Sequence, residues 1–119
     1  MTTLFQKYGG FSTVSKVVLD FYDKVLDSDT VGPFFDDIDM RRQIDHQTKF
    51  IAQVMGGPAS YSNDVLQRVH AGLRIDRAAF NEVAGLLEGT LQQHGIEPED
   101  IAAIMQEIHG RAHIIITSD

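Results

Sequence analysis

The sequence predicts an all-α fold in a single domain of residues 1–119. Three observations carry that prediction. Apolar residues recur at spacings of three and four in each long periodic segment. No segment alternates convincingly with period two. The glycines cluster at Gly9-Gly10, Gly56-Gly57 and Gly95, where each ends or precedes a periodic apolar run.

The first run spans about Ser12 to Leu26, with Val14, Val17, Val18, Phe21, Val25 and Leu26 in helical spacing. Ser12 is the expected N-cap, because its hydroxyl can accept from an unpaired N–H of the first turn. Ser28, Gly32 and Pro33 break the pattern, and Phe34-Phe35 fall in a loop or short turn. A second helix is expected from Asp39, its cap, to Met55. Gly56-Gly57-Pro58 stops it, since glycine tolerates the left-handed C-terminal conformation and proline cannot continue the ladder. A short third helix is placed near Asn63 to Ala71. A fourth runs from about Arg77 to His94, with Phe80, Val83, Ala84, Leu87 and Leu91 on one face and Gly95 closing it. The fifth starts at Pro98, a residue suited to a first helical position, and Glu99 and Asp100 favour the positive end of its dipole. Ile101, Ile104, Met105 and Ile108 continue its stripe. The tail Ile114-Ile115-Ile116 is left unassigned.

Composition narrows the function. The chain has 119 residues, 43% of them hydrophobic, which allows one real core. Lys and Arg number 10 against 17 Asp and Glu, a net charge of −7, which disfavours nucleic acid and anionic lipid as partners. Cysteine is absent, which removes disulfides, zinc–thiolate sites and a cysteine nucleophile and fits a reducing compartment. No apolar run reaches the ~18 residues of a membrane span, and the N-terminus lacks a signal-peptide pattern. A cytoplasmic protein is expected.

Several residues could carry chemistry. On the second helix Gln43, His46, Gln47, Phe50 and Val54 share one side. Polar groups beside a buried aromatic stripe need partners. Read alone, they fit a solvated boundary as well as a pocket whose ligand needs donors. His70 fits a surface or core histidine as well as a metal ligand, and one neutral imidazole can hold haem iron. Tyr22, beside Phe21, fits a boundary residue with its ring buried and its hydroxyl wet. Phe34 and Phe35 fit core fillers. His109 and His113 are four apart and could chelate a metal, but no acidic residue lies between them as in HExxH, and a solvated face suits them better. No Walker loop, G-x-G-x-x-G or G-x-S-x-G is present. Asp36-Asp37 and Glu99-Asp100 mark a loop and a helix start rather than an acid–base pair.

The order and spacing of these pieces are more specific than any one of them. Tyr8-Gly9-Gly10 is followed by Asp20-Phe21-Tyr22 with Val25-Leu26, Pro33-Phe34-Phe35, Asp39-Met40, His46-Gln47, Gly56-Gly57-Pro58, Tyr61 and Val69-His70-Ala71-Gly72. From about Thr3 to His113 this series resembles a group I truncated haemoglobin. The resemblance implies a shortened globin fold, with helices packed two over two around haem b. It implies His70 as the proximal iron ligand, Phe35 packed on the haem, and Tyr22, Gln43 and Gln47 on the distal side. Phe50 would join the cofactor pocket. Arg42 and Lys49 are candidates, on position, to offset the haem propionates.

Two matches resemble the cyanobacterial branch in particular. His46 stands where those globins carry a histidine that can bind iron as a sixth ligand when no gas is present. His113 falls where some of them carry a histidine joined covalently to a haem vinyl group. The chain departs from them in being shorter between His70 and Phe80 and in its apolar Ile114-Ile115-Ile116. The resemblance implies O₂, NO and other small ligands as partners, an unidentified reductase, and a monomer. Three functions are therefore weighed. The first is an O₂-binding haem protein that converts NO to nitrate. The second is a bis-histidyl six-coordinate protein for redox chemistry, electron transfer or sensing. The third is a helical interaction module without cofactor.

Overall fold

A computed structural model describes residues 3–57 and 75–116. The expected third helix near Asn63 to Ala71, and His70 with it, lies outside the described residues. The chain opens with a helix that apolar periodicity does not announce, α1 (Leu4–Lys7). Thr3 starts it with a capping box: the Thr3 hydroxyl accepts from Gln6 N–H at 3.1 Å, and the Gln6 side chain accepts from Thr3 N–H at 3.2 Å.

Helix α2 (Phe11–Asp27) begins one residue before the expected cap. Gly10, at φ 71°, is its N-cap, and no side chain caps it. Thr13 N–H and Val14 N–H already donate to the Gly10 carbonyl, so Ser12 sits inside the first turn and the N-cap expectation for it fails. The expected stripe also needs one change. Val14, Val17, Val18, Phe21 and Val25 are buried, but Leu26 is exposed and Tyr22 is buried. Leu26 lies about 100° round the helix from Val25, which turns it off the core face.

Pro33 leads a 3₁₀ turn over Gly32–Phe35. Asp39 then caps α3 (Met40–Val54), accepting from Arg41 N–H at 3.1 Å and Arg42 N–H at 3.4 Å. The end of α3 is a Schellman motif. Gly56, at φ 87°, donates to Gln53 O, and Gly57 donates to Ala52 O. Helix α4 (Arg77–Gln93) ends in the same way at Gly95, φ 78°, with Ile96 N–H reaching back to Leu91 O. Its cap is Asp76, which accepts from Ala79 N–H at 2.8 Å. Helix α5 (Pro98–His109) starts at Pro98 as its sequence implies, with Glu99 and Asp100 in the first turn. The unassigned tail forms α6 (Ala112–Ile115).

Helices α2 and α3 pack against each other, as do α4 and α5, and the first pair lies over the second through α2–α4 and α3–α5 contacts. The core between the layers includes Val18, Phe21, Ile51, Leu91 and Ile104. Each such side chain contributes about 1.5–3 kcal/mol by leaving water. Polar ties fix α2 on α4: Lys24 Nζ donates to Thr90 Oγ1 and Gln93 Oε1 at 3.1 and 2.7 Å, and His94 Nε2 lies 2.7 Å from Asp20 Oδ2. No helix among the described residues is long and apolar enough to cross a membrane.

Candidate functional site

The two layers do not close completely. Between them lies a cavity of about 90 Å³ that opens to solvent. Phe21 and Tyr22 reach it from α2, Val31, Phe34 and Phe35 from the loop and 3₁₀ turn, and Gln43, Gln47 and Phe50 from α3. The facing wall is Ile75 with Ala79, Phe80, Val83, Ala84 and Leu87 of α4, Ile108 of α5 and Ile115 of α6. None of these described lining residues is a carboxylate, lysine, arginine or histidine.

Among the described lining residues, the polar side chains are Tyr22, Gln43 and Gln47, all on the α2–α3 side. Tyr22 is only 4% exposed, so its hydroxyl is not the wet boundary group that its sequence position allows. Gln43 Nε2 donates to Tyr22 Oη at 3.1 Å, joining α3 to α2 across the cavity edge. Helical spacing places Gln47 one turn further along α3 on the same side, and Phe50 follows three residues later. The Tyr22 ring is fixed by its neighbours. Its centroid is 5.0 Å from Phe21 and 5.7 Å from Phe35, the latter edge-on. The aromatic and aliphatic lining suits a flat hydrophobic cofactor, and the hydroxyl–amide corner suits a small polar ligand held beside it. The residues present therefore fit a haem with a diatomic ligand.

Comparison with known proteins decides the family. The bacterial-like globin family model matches residues 3–117. A group 1 truncated haemoglobin from Synechocystis sp. is 34% identical over 114 residues, covering 92% of this chain and 91% of that protein. The chain belongs to the group 1 truncated haemoglobins. Its fold is accordingly the two-over-two globin, and haem-based binding of small ligands such as O₂ is its general function. The crystal structure of the Fe(III) truncated haemoglobin of Tetrahymena pyriformis superposes with a TM-score of 0.87 at 27% identity, covering 99% of this chain and all of that one. A 2/2 haemoglobin from Synechococcus sp., solved in the cyanomet state with covalently attached haem, gives 0.84 at 27% identity over 96% and 98% of the two chains.

Of the sequence-predicted site residues of this truncated haemoglobin, Tyr22, Phe35, Gln43, Gln47 and Phe50 come together at the cavity. Others stand apart from the described lining. Arg42 and Lys49 are exposed on α3, and Lys49 pairs with Asp45 at 3.0 Å. His46 is half-buried next to Gln47. His113 is exposed on α6. His109 is exposed too, with its ring edge-on to Phe80 at 5.6 Å, and no cluster of three or more metal-ligating side chains occurs among the described residues. Sequence reasoning missed Ile115 as a wall residue. Its β-branched tail carries no clear period, and only the α5–α6 corner brings it to the cavity. Sequence reasoning also missed Arg111, whose guanidinium carbon lies 5.6 Å from the Phe50 ring centroid.

Proposed function

We propose that this truncated haemoglobin binds O₂ and other diatomic ligands on haem b and converts NO to nitrate. The supporting observation is the part-buried Gln43–Tyr22 hydrogen bond at the edge of a cavity whose described lining carries no charged side chain. When bound, haem would supply the iron that takes the diatomic ligand and the one electron needed to convert O₂ and NO to nitrate. The chain supplies the surroundings. Because the Tyr22 oxygen accepts from Gln43, the hydroxyl is oriented as a donor, and a polar ligand in the cavity is a suitable acceptor. Gln47 adds a second amide on the same wall. Such donors, held in place beside an apolar slot, stabilise negative charge drawn onto the ligand more strongly than water does.

His70 is assigned as the proximal iron ligand by the family pattern around Val69-His70-Ala71. Phe35 and Phe50 pack the cofactor, and Arg42 and Lys49, though exposed, remain the candidate cations for its propionates. Covalent attachment through His113 would require the exposed ring to turn inward, and haem that resists acid–organic extraction after reduction would reveal it. The protein would act as a cytoplasmic monomer served by a reductase.

The bis-histidyl reading has less support. His46 is half-buried beside Gln47 but is not among the described lining residues. The visible spectrum of the ferrous, gas-free, haem-loaded protein separates the two. A broad high-spin band is expected. Sharp low-spin bands that vanish in His46→Ala would favour the six-coordinate protein instead.

The catalytic reading is tested by rapid mixing of the O₂-equilibrated ferrous protein with NO. Ferric product should form with stoichiometric nitrate, and faster than for a generic five-coordinate haem. An equal rate would remove specialised catalysis and leave ligand binding alone.

A further inference from the structure

We infer that Arg111 is a positioning residue that fastens the α5–α6 corner to α3 through Phe50, and so controls how readily cofactor leaves the cavity. Helix α6 spans only Ala112–Ile115. A helix this short does not hold itself in water, because its nucleation cost exceeds what one turn returns. It must be held by its surroundings, and it carries Ile115 into the cavity wall.

Arg111 makes contacts to all three elements at this corner. Its backbone carbonyl accepts from Ile114 N–H at 2.9 Å and Ile115 N–H at 3.2 Å, which starts α6. Its guanidinium donates to the Glu107 carbonyl at 2.8 Å and to Glu107 Oε2 at 3.0 Å, in the last turn of α5, where a cation also suits the helix dipole. The same guanidinium lies within cation–π range of Phe50, which is 3% exposed and lines the cavity from α3. The side chain of Arg111 is only 20% exposed, so this contact is shielded from water and salt. Arginine suits the position because its plane can stack on the ring while its N–H groups serve Glu107. Loss of the contact would let α6 swing outward with Ile115, opening the cavity at its α5–α6 end.

The inference rests on haem occupying this cavity, and the experiment keeps the two claims apart. Arg111→Met retains the packing stem without the cation, and Arg111→Lys retains the cation. Amide hydrogen exchange at Ile115 and Ile116 is followed in the haem-loaded proteins, together with haem transfer to an excess of a high-affinity acceptor protein. In Arg111→Met both should quicken about fivefold, the scale of one shielded cation–π contact. Arg111→Lys should recover most of the loss, and the thermal midpoint should hardly move. Unchanged exchange and transfer in Arg111→Met would overturn the inference. So would equal loss in the Met and Lys variants, in step with a falling midpoint. If Arg111→Met does not fold, Glu107→Gln should produce a smaller rise in the same two rates, and no rise would overturn the inference. A parent chain that takes up no haem fails the cofactor reading, whereas α6 exchange still judges Arg111.

Discussion

The α2–α3 wall of the cavity carries a hydroxyl and two amides, whereas the described α4–α5 wall, from Ala79 through Leu87 to Ile108, offers hydrocarbon only. Both walls grow from amphipathic helices of similar length, 17 and 15 residues on one side and 17 and 12 on the other. The difference lies in what their inward faces hold. On α3 the inward side interrupts an apolar stripe with half-buried glutamines, and the Gln43 amide is tolerable there because it meets Tyr22. On α4 the stretch that lines the cavity, Ala79 to Leu87, is continuously apolar and contributes packing there. One wall thus supplies direction to a ligand and the other supplies stability to the fold, so substitutions on the two should fail in different assays.

The largest stability effect is expected on the apolar wall. Phe80 is buried and lines the cavity, and Phe80→Ala should cost about 3–5 kcal/mol, read by denaturant unfolding. O₂ release measured on the protein that remains folded should change little. A large change in release without loss of stability would break the division between the walls. On the polar wall the pattern should reverse. Tyr22→Phe keeps the ring contacts with Phe21 and Phe35 and removes only the hydroxyl. Stopped-flow O₂ dissociation should quicken by roughly tenfold, as for a lost hydrogen bond to a strongly polarised ligand, with a stability loss of about 1 kcal/mol as Gln43 Nε2 loses its acceptor. Unchanged release would deny Tyr22 its donor role.

Gln43→Leu should act in the same direction but less strongly, by about fivefold, because it disturbs the orientation of the hydroxyl rather than removing it. An effect larger than that of Tyr22→Phe would make Gln43 the direct donor.

The smallest effect falls outside both walls and serves as a control. Lys7 Nζ and the Tyr8 hydroxyl both donate to Asp100 Oδ2, tying α1 to the start of α5. Hydrogen bonding from Lys7, then from Tyr8, lowers the Asp100 pKa, and the same carboxylate raises that of Lys7. A depressed carboxylate pKa stabilises the fold above the ordinary carboxylate value, and that stability is lost as pH falls through the lowered pKa. The raised Lys7 pKa contributes fully below the ordinary lysine value and is lost as pH rises through the raised one. The thermal midpoint of Asp100→Asn should therefore lie slightly below that of the parent at neutral pH, and the gap should close in acid. O₂ release should be the same in both, and a gap that persists into acid would show that the tie does not act through the charge of Asp100.

Much of this was legible in residues alone. The caps and stops of α3 and the start of α5 follow from Asp39, Gly56-Gly57 and Pro98, because backbone groups at helix ends need local partners. The α1 capping box was equally available in Thr3 and Gln6, but a single turn carries too few apolar residues to show a period. Tyr22 was placed at a boundary because position on α2 alone does not say what covers it. The cover is Phe35 and the Gln43 amide, which belong to later elements. The lining positions on α3 were readable from spacing, whereas Arg42, Lys49 and His113 were placed by family position and stand exposed.

By itself the sequence determined that α2, α3, α4 and α5 exist, together with most of their ends and inward faces, since these depend on propensity, capping and period within one element; the start of α2 and the places of Tyr22 and Leu26 on it are the exceptions. It also determined the family, through the order and spacing of its motifs. Tertiary structure decided which polar atoms are dry, that Gln43 meets Tyr22, that Ile115 closes the cavity, and that Arg111 bridges three elements. Those outcomes depend on contacts between residues far apart in the chain, such as Phe50 and Arg111, and no local rule of spacing carries that distance.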